Sequence, residues 1–191
     1  FKLHRYLVRQ RKRMNPSSAS DIISLAKGAF LHDIGLNAIP SDARAHWSEH
    51  RDETHKVWRH HVEKGHQMVT GQVDSATAAA VLQHHQYFDG SGFPTKPNWE
   101  GKEFGLTGEN IHIFARIVAA ADQFDEIKNQ PDGTTWPTVR VLRILTSGVM
   151  SRRLDPIVLK ALLQVIPVYP PGSYVKLSDD RQAFILDWNQ D

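Results

Sequence analysis

Histidine and aspartate recur in four separate segments of this 191-residue chain. Two of the segments carry adjacent pairs, His32-Asp33 and His84-His85, and the other two carry His61 and Asp122. Neutral imidazoles and carboxylates are the ligands of borderline divalent metals, and a set of this size in a chain without cysteine suits iron, manganese or zinc. The residue types therefore predict a metal site built from nitrogen and oxygen ligands.

The spacing of these residues predicts more than one ion. Adjacent residues of a helix project about 100° apart, so His84 and His85 do not readily bind the same ion. A pair of ions bridged by a carboxylate such as Asp33 could use both imidazoles. We therefore expect two metals at this site.

Each part of the pattern also has an ordinary explanation. Tandem histidines occur by chance, as His60-His61 shows, and Asp122 could be a helix-buried carboxylate paired with Arg116. The glycines and proline of DGSGFP could form a simple turn. The joint occurrence of these residues on apolar helices, where an unpaired charge is costly, favours a functional site.

The metal candidates lie in or beside segments with helical periodicity. Helices are predicted near residues 1–8, from 20 to about 35, and over 48–69, 76–85, 110–127, 138–145 and 156–165. The apolar face of the second of these helices is predicted to include Ile23 and Phe30. Residues 173–177 and 183–188 have β-type composition around a polar turn, which predicts a small hairpin. The expected fold class is all-α with a C-terminal β-hairpin appendage.

Composition limits the classes of protein that this chain can represent. With 40% hydrophobic residues the chain can bury one main core. A net charge of only +2 gives no strong field toward duplex nucleic acid or a membrane surface. The absence of cysteine removes disulfides and agrees with a reducing, cytoplasmic location. No apolar stretch approaches the roughly 20 residues that span a bilayer. The chain opens within a helical pattern, so we expect it to be a module that follows a sensor domain.

Four motifs, in order, resemble those of the HD-GYP family, the bacterial branch of the HD-domain metal-dependent phosphohydrolases. HDIGLNAIP resembles its HD motif, and HHVEKG carries a His-x-x-x-Gly element that selects His61 over His60. LQHHQYFDGSGFP resembles the double-histidine motif and the glycine-aromatic-proline loop, with Phe93 in place of tyrosine. FARIVAAADQFD resembles the helix that supplies the last aspartate. The resemblance covers essentially the whole chain.

The resemblance implies a helical HD-domain bundle over residues 1–150, with a C-terminal helix and hairpin over residues 151–191 packed on it. It implies two or three divalent ions, iron or manganese first, with zinc, nickel and magnesium also open. The implied metal ligands are His32, Asp33, His61, His84, His85, Asp122 and His4. Catalytic roles fall to His32 and to Asp33, which would bridge the ions. The residues expected to contact substrate are Asp125, Gly92, Phe93, Pro94 and Arg116.

The activity implied by the resemblance is hydrolysis of a cyclic dinucleotide, cyclic di-GMP or 3'3'-cyclic GMP-AMP, to the linear product through a metal-bridging hydroxide. The alternative is a degenerate receptor that signals through partners such as GGDEF-type cyclase domains, and a homodimer is also open. The intact ligand set favours catalysis. An HD phosphohydrolase for another nucleotide is the third alternative, and the FDGSGFP loop argues against it.

Three departures from the family pattern bear on activity. Leu36 replaces the lysine of the HD motif, so a phosphate contact or proton source is absent. Gln86 replaces the glutamate that usually ends the double-histidine motif; it can still hydrogen-bond a ligand but adds no charge. Residues 129–136 read NQPDGTTW in place of an Arg-Pro-Tyr-type stretch that helps to hold the nucleotide. We therefore expect altered recognition of guanine and phosphate, or slower turnover.

Overall fold

The structure is a computed structural model and describes residues 19–97 and 99–188. These ranges form nine α-helices: α1 Ala19–Leu31, α2 Ser41–His50, α3 Lys56–Arg59, α4 His61–Val69, α5 Ser75–Gln83, α6 Ile113–Lys128, α7 Thr138–Leu145, α8 Gly148–Arg153 and α9 Pro156–Val165. Two antiparallel hairpins pair β1 Lys96–Pro97 with β2 Glu103–Phe104, and β3 Tyr174–Lys176 with β4 Gln182–Phe184. The predicted fold class, helical with a small C-terminal hairpin, is confirmed. The helix predicted near residues 1–8, with His4, lies outside the described residues.

Helix α6 lies at the centre of the main apolar core and packs against α1, α5, α7 and α9. Its small residues Ala115 and Ala120 are fully buried, which lets the neighbouring helices approach closely. The buried members of this core are Leu25, Ala80, Phe114, Ile117, Val118, Ala120, Val141, Leu145, Leu154, Val158, Leu159, Ala161 and Leu162. Helix α9 packs directly on α6, the helix that carries Asp122. The division at residue 150 stays a prediction.

A polar helix predicted over residues 48–69 is broken in the structure. Helix α2 ends at His50, and Arg51 takes the left-handed conformation with φ of 51°. The Asp52 carboxylate then accepts hydrogen bonds from the backbone and hydroxyl of Thr54, at 2.8 and 2.6 Å. This local turn competes with the helix for backbone donors, so α3 starts only after His55. The prediction was wrong because the polar periodicity of this stretch does not reveal the turn.

The apolar face of α1 is narrower than predicted. Leu25 is buried, whereas Ile23 and Phe30 are 52% and 88% exposed. None of the described helices combines the length and the apolar character that crossing a membrane requires.

Close packing at Gly35 holds the HD motif against α4. A 3-10 helix, Ile34–Ala38, follows directly after Asp33 and packs on α4. A Cβ atom at Gly35 would lie 1.9 Å from the carbonyl oxygen of His61 and 2.5 Å from the backbone nitrogen of Gly65. Only glycine allows this approach, which brings Asp33 beside His61.

We expect Gly35→Ala to destabilise the chain by about 1–3 kcal/mol, the usual cost of overpacking a core. The added methyl group must push the 3-10 helix away from α4, so metal binding should weaken as well. Urea unfolding and elemental analysis measure the two effects. Ala38→Ser, at an exposed position of the same 3-10 helix, is the control. Wild-type stability and metal content in Gly35→Ala would contradict this account.

Candidate metal centre

Side chains from the HD motif, from α4 and from the end of α5 converge on one point. Asp33, His61, His84 and His85 each place one donor atom within 4.8 Å of the others. Asp33 Oδ1 lies 3.4 Å from His61 Nε2 and 3.5 Å from His84 Nε2. The two imidazole nitrogens are 3.3 Å apart. The Asp33 carboxylate is thus the central group of the cluster.

A second pair of residues extends the cluster on the other side of Asp33. His32 Nε2 lies 3.5 Å from Asp33 Oδ2 and 3.7 Å from Asp122 Oδ1. One oxygen of Asp33 therefore faces His61 and His84, and the other faces His32. A carboxylate that presents its two oxygens to two sets of donors suits a bridge between ions. All six of the predicted ligands that the structure describes lie in this cluster.

Three of the histidines are oriented in the same way. Each Nδ1 donates to the carbonyl oxygen three residues earlier in its own segment. The pairs are His32 with Ala29 at 2.8 Å, His61 with Trp58 at 2.7 Å and His84 with Val81 at 2.8 Å. A carbonyl oxygen only accepts, so a hydrogen sits on each Nδ1 and Nε2 is the nitrogen turned toward the cluster. This arrangement is typical of metal-ligating histidines.

The loop after the double histidine packs against His85. The ring of Phe93 stacks on His85 with centroids 4.7 Å apart, and the Phe93 backbone donates to the carbonyl oxygen of His85. A Cβ atom at Gly92 would lie 2.2 Å from that same oxygen. Both residues are buried and position His85, and their predicted contact with substrate stays a prediction. Pro94 is half-buried and lines a surface cleft, and its predicted role stays open.

Gln86 secures the same loop. Its side-chain amide donates to the carbonyl oxygen of Pro94 at 2.7 Å and accepts from the backbone of Leu106 at 2.8 Å. Because the side chain is buried and both of its ends are engaged, Gln86 bonds to the loop and does not reach a ligand of the cluster, contrary to expectation. A glutamate here could not donate the first of these bonds.

Arg116 does not face the metal cluster. Its guanidinium is buried and pairs with the carboxylate of Asp155, which also caps α9. The alternative pairing of Arg116 with Asp122 is therefore wrong, and its predicted substrate contact stays a prediction. Asp125 is exposed on α6 and accepts from the side chain of Asn129 at 2.9 Å, so its substrate role stays a prediction. Leu36, at the position of the family lysine, packs against a second, smaller apolar cluster formed by Ile39, Ala43, Trp58, Val62 and Phe93.

The charge states of the cluster follow from burial and mutual contact. Burial and the neighbouring His84 lower the pKa of His61 to about 4, so His61 is neutral. Burial raises the pKa of Asp33, but the hydrogen bond and charge of His84, with those of the other histidines, lower it to about 2. Burial lowers the pKa of His32, yet Asp122 and Asp33 outweigh it and raise that pKa to about 9. Metal binding at His32 therefore requires the release of its proton.

Trp58 is a functional residue that the sequence reasoning missed. Its carbonyl oxygen orients His61, and its buried ring lies 4.8 Å from the ring of His61 and 5.0 Å from that of His85. The signal was present in the spacing, because a residue three positions before a helical histidine offers its carbonyl to Nδ1.

The donor set fits divalent metal ions, and comparison with known proteins agrees. The family model described as HD domain matches residues 3–158, which includes every residue of the cluster. The chain therefore belongs to the HD domain family, whose members are metal-dependent, and the assignment to its HD-GYP branch is confirmed.

Three relatives illustrate the relationship. A cyclic di-GMP phosphodiesterase of Pseudomonas aeruginosa is 29% identical over 161 residues, which cover 83% of this chain and 36% of the relative. The cyclic di-GMP phosphodiesterase response regulator RpfG of Xanthomonas campestris pv. campestris is 30% identical, with 77% and 37% covered. The 3'3'-cGAMP-specific phosphodiesterase 2 of Vibrio cholerae is 31% identical, with 77% and 27% covered. The chain thus spans about a third of the length of these curated relatives.

Proposed function

We propose that this chain is a metal-dependent phosphodiesterase domain that hydrolyses a cyclic dinucleotide, cyclic di-GMP or 3'3'-cyclic GMP-AMP, to the linear dinucleotide. The observation that carries the proposal is the convergence of Asp33, His61, His84 and His85 within 4.8 Å, in a domain whose relatives are named for these two activities. The family lysine is replaced by Leu36, and all six proposed ligands among the described residues lie in one cluster.

The proposed centre holds two or three divalent ions, with iron or manganese as the first candidates. The proposed ligands among the described residues are His32, Asp33, His61, His84, His85 and Asp122. His4 lies outside the described residues and stays a prediction. Bound ions would supply charge neutralisation at the phosphate and a lowered pKa for the attacking water.

The exposure of the ligands defines the side from which substrate approaches. The side chains of His61 and His84 are 0% exposed, whereas those of Asp33, His32 and Asp122 are 45%, 23% and 17% exposed. The scissile phosphate therefore reaches the cluster from the side of His32, Asp33 and Asp122. His32 and Asp33 are the groups in place to act at the reacting atoms. Asp125, one turn beyond Asp122 on α6, is proposed to contact the nucleotide.

The proposal extends to the setting of the domain. The curated relatives are about three times as long as the matched region, so they contain further sequence beside the domain. The proposed setting is the bacterial cytoplasm, with a sensor domain or a GGDEF-type cyclase domain as partner. A homodimer is part of the same proposal.

We expect the protein loaded with iron or manganese to convert labelled cyclic di-GMP or 3'3'-cyclic GMP-AMP to the linear dinucleotide. Chromatography of the products measures the reaction, and elemental analysis of the same sample establishes how much metal is bound. Treatment with a chelator should abolish turnover, and metal addition should restore it. A fully loaded protein that hydrolyses neither substrate would instead support a receptor.

A further inference from the structure

A cleft of about 360 Å³ lies beside the proposed metal centre, within the usual size range of small-molecule sites. Its walls include two tryptophans, two arginines and two glutamates: Trp47, Trp136, Arg51, Arg153, Glu53 and Glu126. Glu126 follows Asp122 by four residues on α6, and residues at this spacing are neighbours on a helix surface. The cleft therefore begins one helical turn from a proposed metal ligand.

The two glutamates of the cleft differ in the number of hydrogen bonds that their carboxylates accept from the protein. Glu53 accepts from the hydroxyl of Tyr87 at 2.7 Å and from the guanidinium of Arg153 at 3.1 Å. Glu126 accepts one hydrogen bond, from the side chain of Gln123 at 2.8 Å, and its other oxygen lies 3.8 Å from Arg51. Glu126 thus keeps an acceptor for a ligand, and Arg51 keeps donors.

Electrostatics support a ligand that brings hydrogen-bond donors to Glu126. Burial and the charge of Asp122 raise the pKa of Glu126 well above its ordinary value, and Arg51 only partly offsets them. Unliganded Glu126 is therefore shifted toward its protonated form, and ligand donors placed at its free oxygen would favour the carboxylate.

We propose that this cleft binds a guanine base of the cyclic dinucleotide, with Glu126 accepting from the base and Arg51 donating to it. The inference rests on the proposed function and names its base-recognition site. Guanine presents two adjacent donors, the ring N1–H and the exocyclic amine, and these match a carboxylate. Its O6 and N7 acceptors match a guanidinium. Tryptophan provides apolar surface for the flat ring.

Adenine does not fit the same groups. Its 6-position carries an amine donor in place of the guanine O6, and this donor would face the donors of Arg51; it also lacks the 2-amino donor that guanine offers to Glu126. Both dinucleotides named in the proposed function contain guanine, and cyclic di-AMP contains none. The cleft therefore selects against cyclic di-AMP.

The test is equilibrium binding of cyclic di-GMP and cyclic di-AMP by calorimetry, with chelator present so that no turnover occurs. We expect the wild type to prefer cyclic di-GMP, and Glu126→Gln to weaken its binding about 10- to 100-fold, the loss of one bidentate contact. Binding of cyclic di-AMP should change little. Arg51→Gln should also reduce the preference, and it provides an independent test should Glu126→Gln fold poorly.

Glu49→Gln, an exposed glutamate on α2, is the matched control and should bind like the wild type. A wild type without guanine preference, or folded Glu126→Gln and Arg51→Gln variants that keep it, would overturn the inference. Its failure is separable from failure of the proposed function. If the protein hydrolyses its substrate and the variants keep the preference for cyclic di-GMP, only the guanine site is contradicted. If binding depends on Glu126 but no hydrolysis occurs, only the proposed catalytic activity is contradicted.

Discussion

Replacing Asp33 with alanine is expected to remove most of the bound metal and to lower cyclic dinucleotide hydrolysis by on the order of 10³-fold or more. The reason is the central place of this carboxylate. Its two oxygens lie within 3.5 Å of Nε2 atoms from His61, His84 and His32, so no neighbouring group can replace it as a bridge. Elemental analysis and initial rates measure the two effects.

Two adjacent histidines provide the matched control for that experiment. His61 is fully buried with its Nε2 in the cluster, whereas His60 is exposed. We expect His61→Ala to behave like Asp33→Ala and His60→Ala to behave like the wild type. The helical circular dichroism of all three variants should stay near that of the wild type. Full metal content and rate in Asp33→Ala would remove Asp33 from the centre.

Arg116→Met is expected to cost about 3–5 kcal/mol of unfolding free energy, the usual effect of leaving a buried charge without its partner. Arg116 and Asp155 are 8% and 3% exposed, and they join the first turn of α6 to the start of α9. Removal of the guanidinium leaves the Asp155 carboxylate in a desolvated position. Urea unfolding monitored by circular dichroism measures the loss.

A second substitution separates the charge effect from lost packing. Asp155→Asn in the Arg116→Met background removes the unpaired charge and keeps the oxygen that caps α9 through the backbone of Ile157. Part of the lost stability should return. Arg181→Ala, which breaks an exposed pair with Asp179, should cost no more than about 1 kcal/mol. Strict additivity of the two buried substitutions would contradict a coupled pair.

The helices with strong local signals were predictable from sequence. The structure forms Thr138–Leu145 and Pro156–Val165 as expected. Each has a proline before or within its first turn, and apolar residues recur at helical spacing along its whole length. The broken segment after α2 was not predictable in this way, since a side-chain turn at Asp52 decides it.

The metal cluster was predictable because ligand chemistry restricts the residue types and because the motifs carry the spacing. Its surroundings were not, since their contacts join distant parts of the chain. Arg116 donates to Asp155, which lies 39 residues further along the sequence, and Tyr87 donates to Glu53, which lies 34 residues earlier. No periodicity encodes such pairs. The cleft at Glu126 was missed for the same reason, although its i+4 relation to Asp122 is visible in the sequence.

The hydrogen bonds from the histidine Nδ1 atoms to helix carbonyls make the centre preorganised. The rings of His32, His61 and His84 are held by their own backbone turns and do not depend on an ion for their direction. Ion capture then loses little side-chain conformational entropy, of which a free side chain gives up as much as about 2 kcal/mol on ordering. The positions of the Nε2 and carboxylate donors then determine the affinity for metal and the preference among metals. Those positions are fixed when the helices fold.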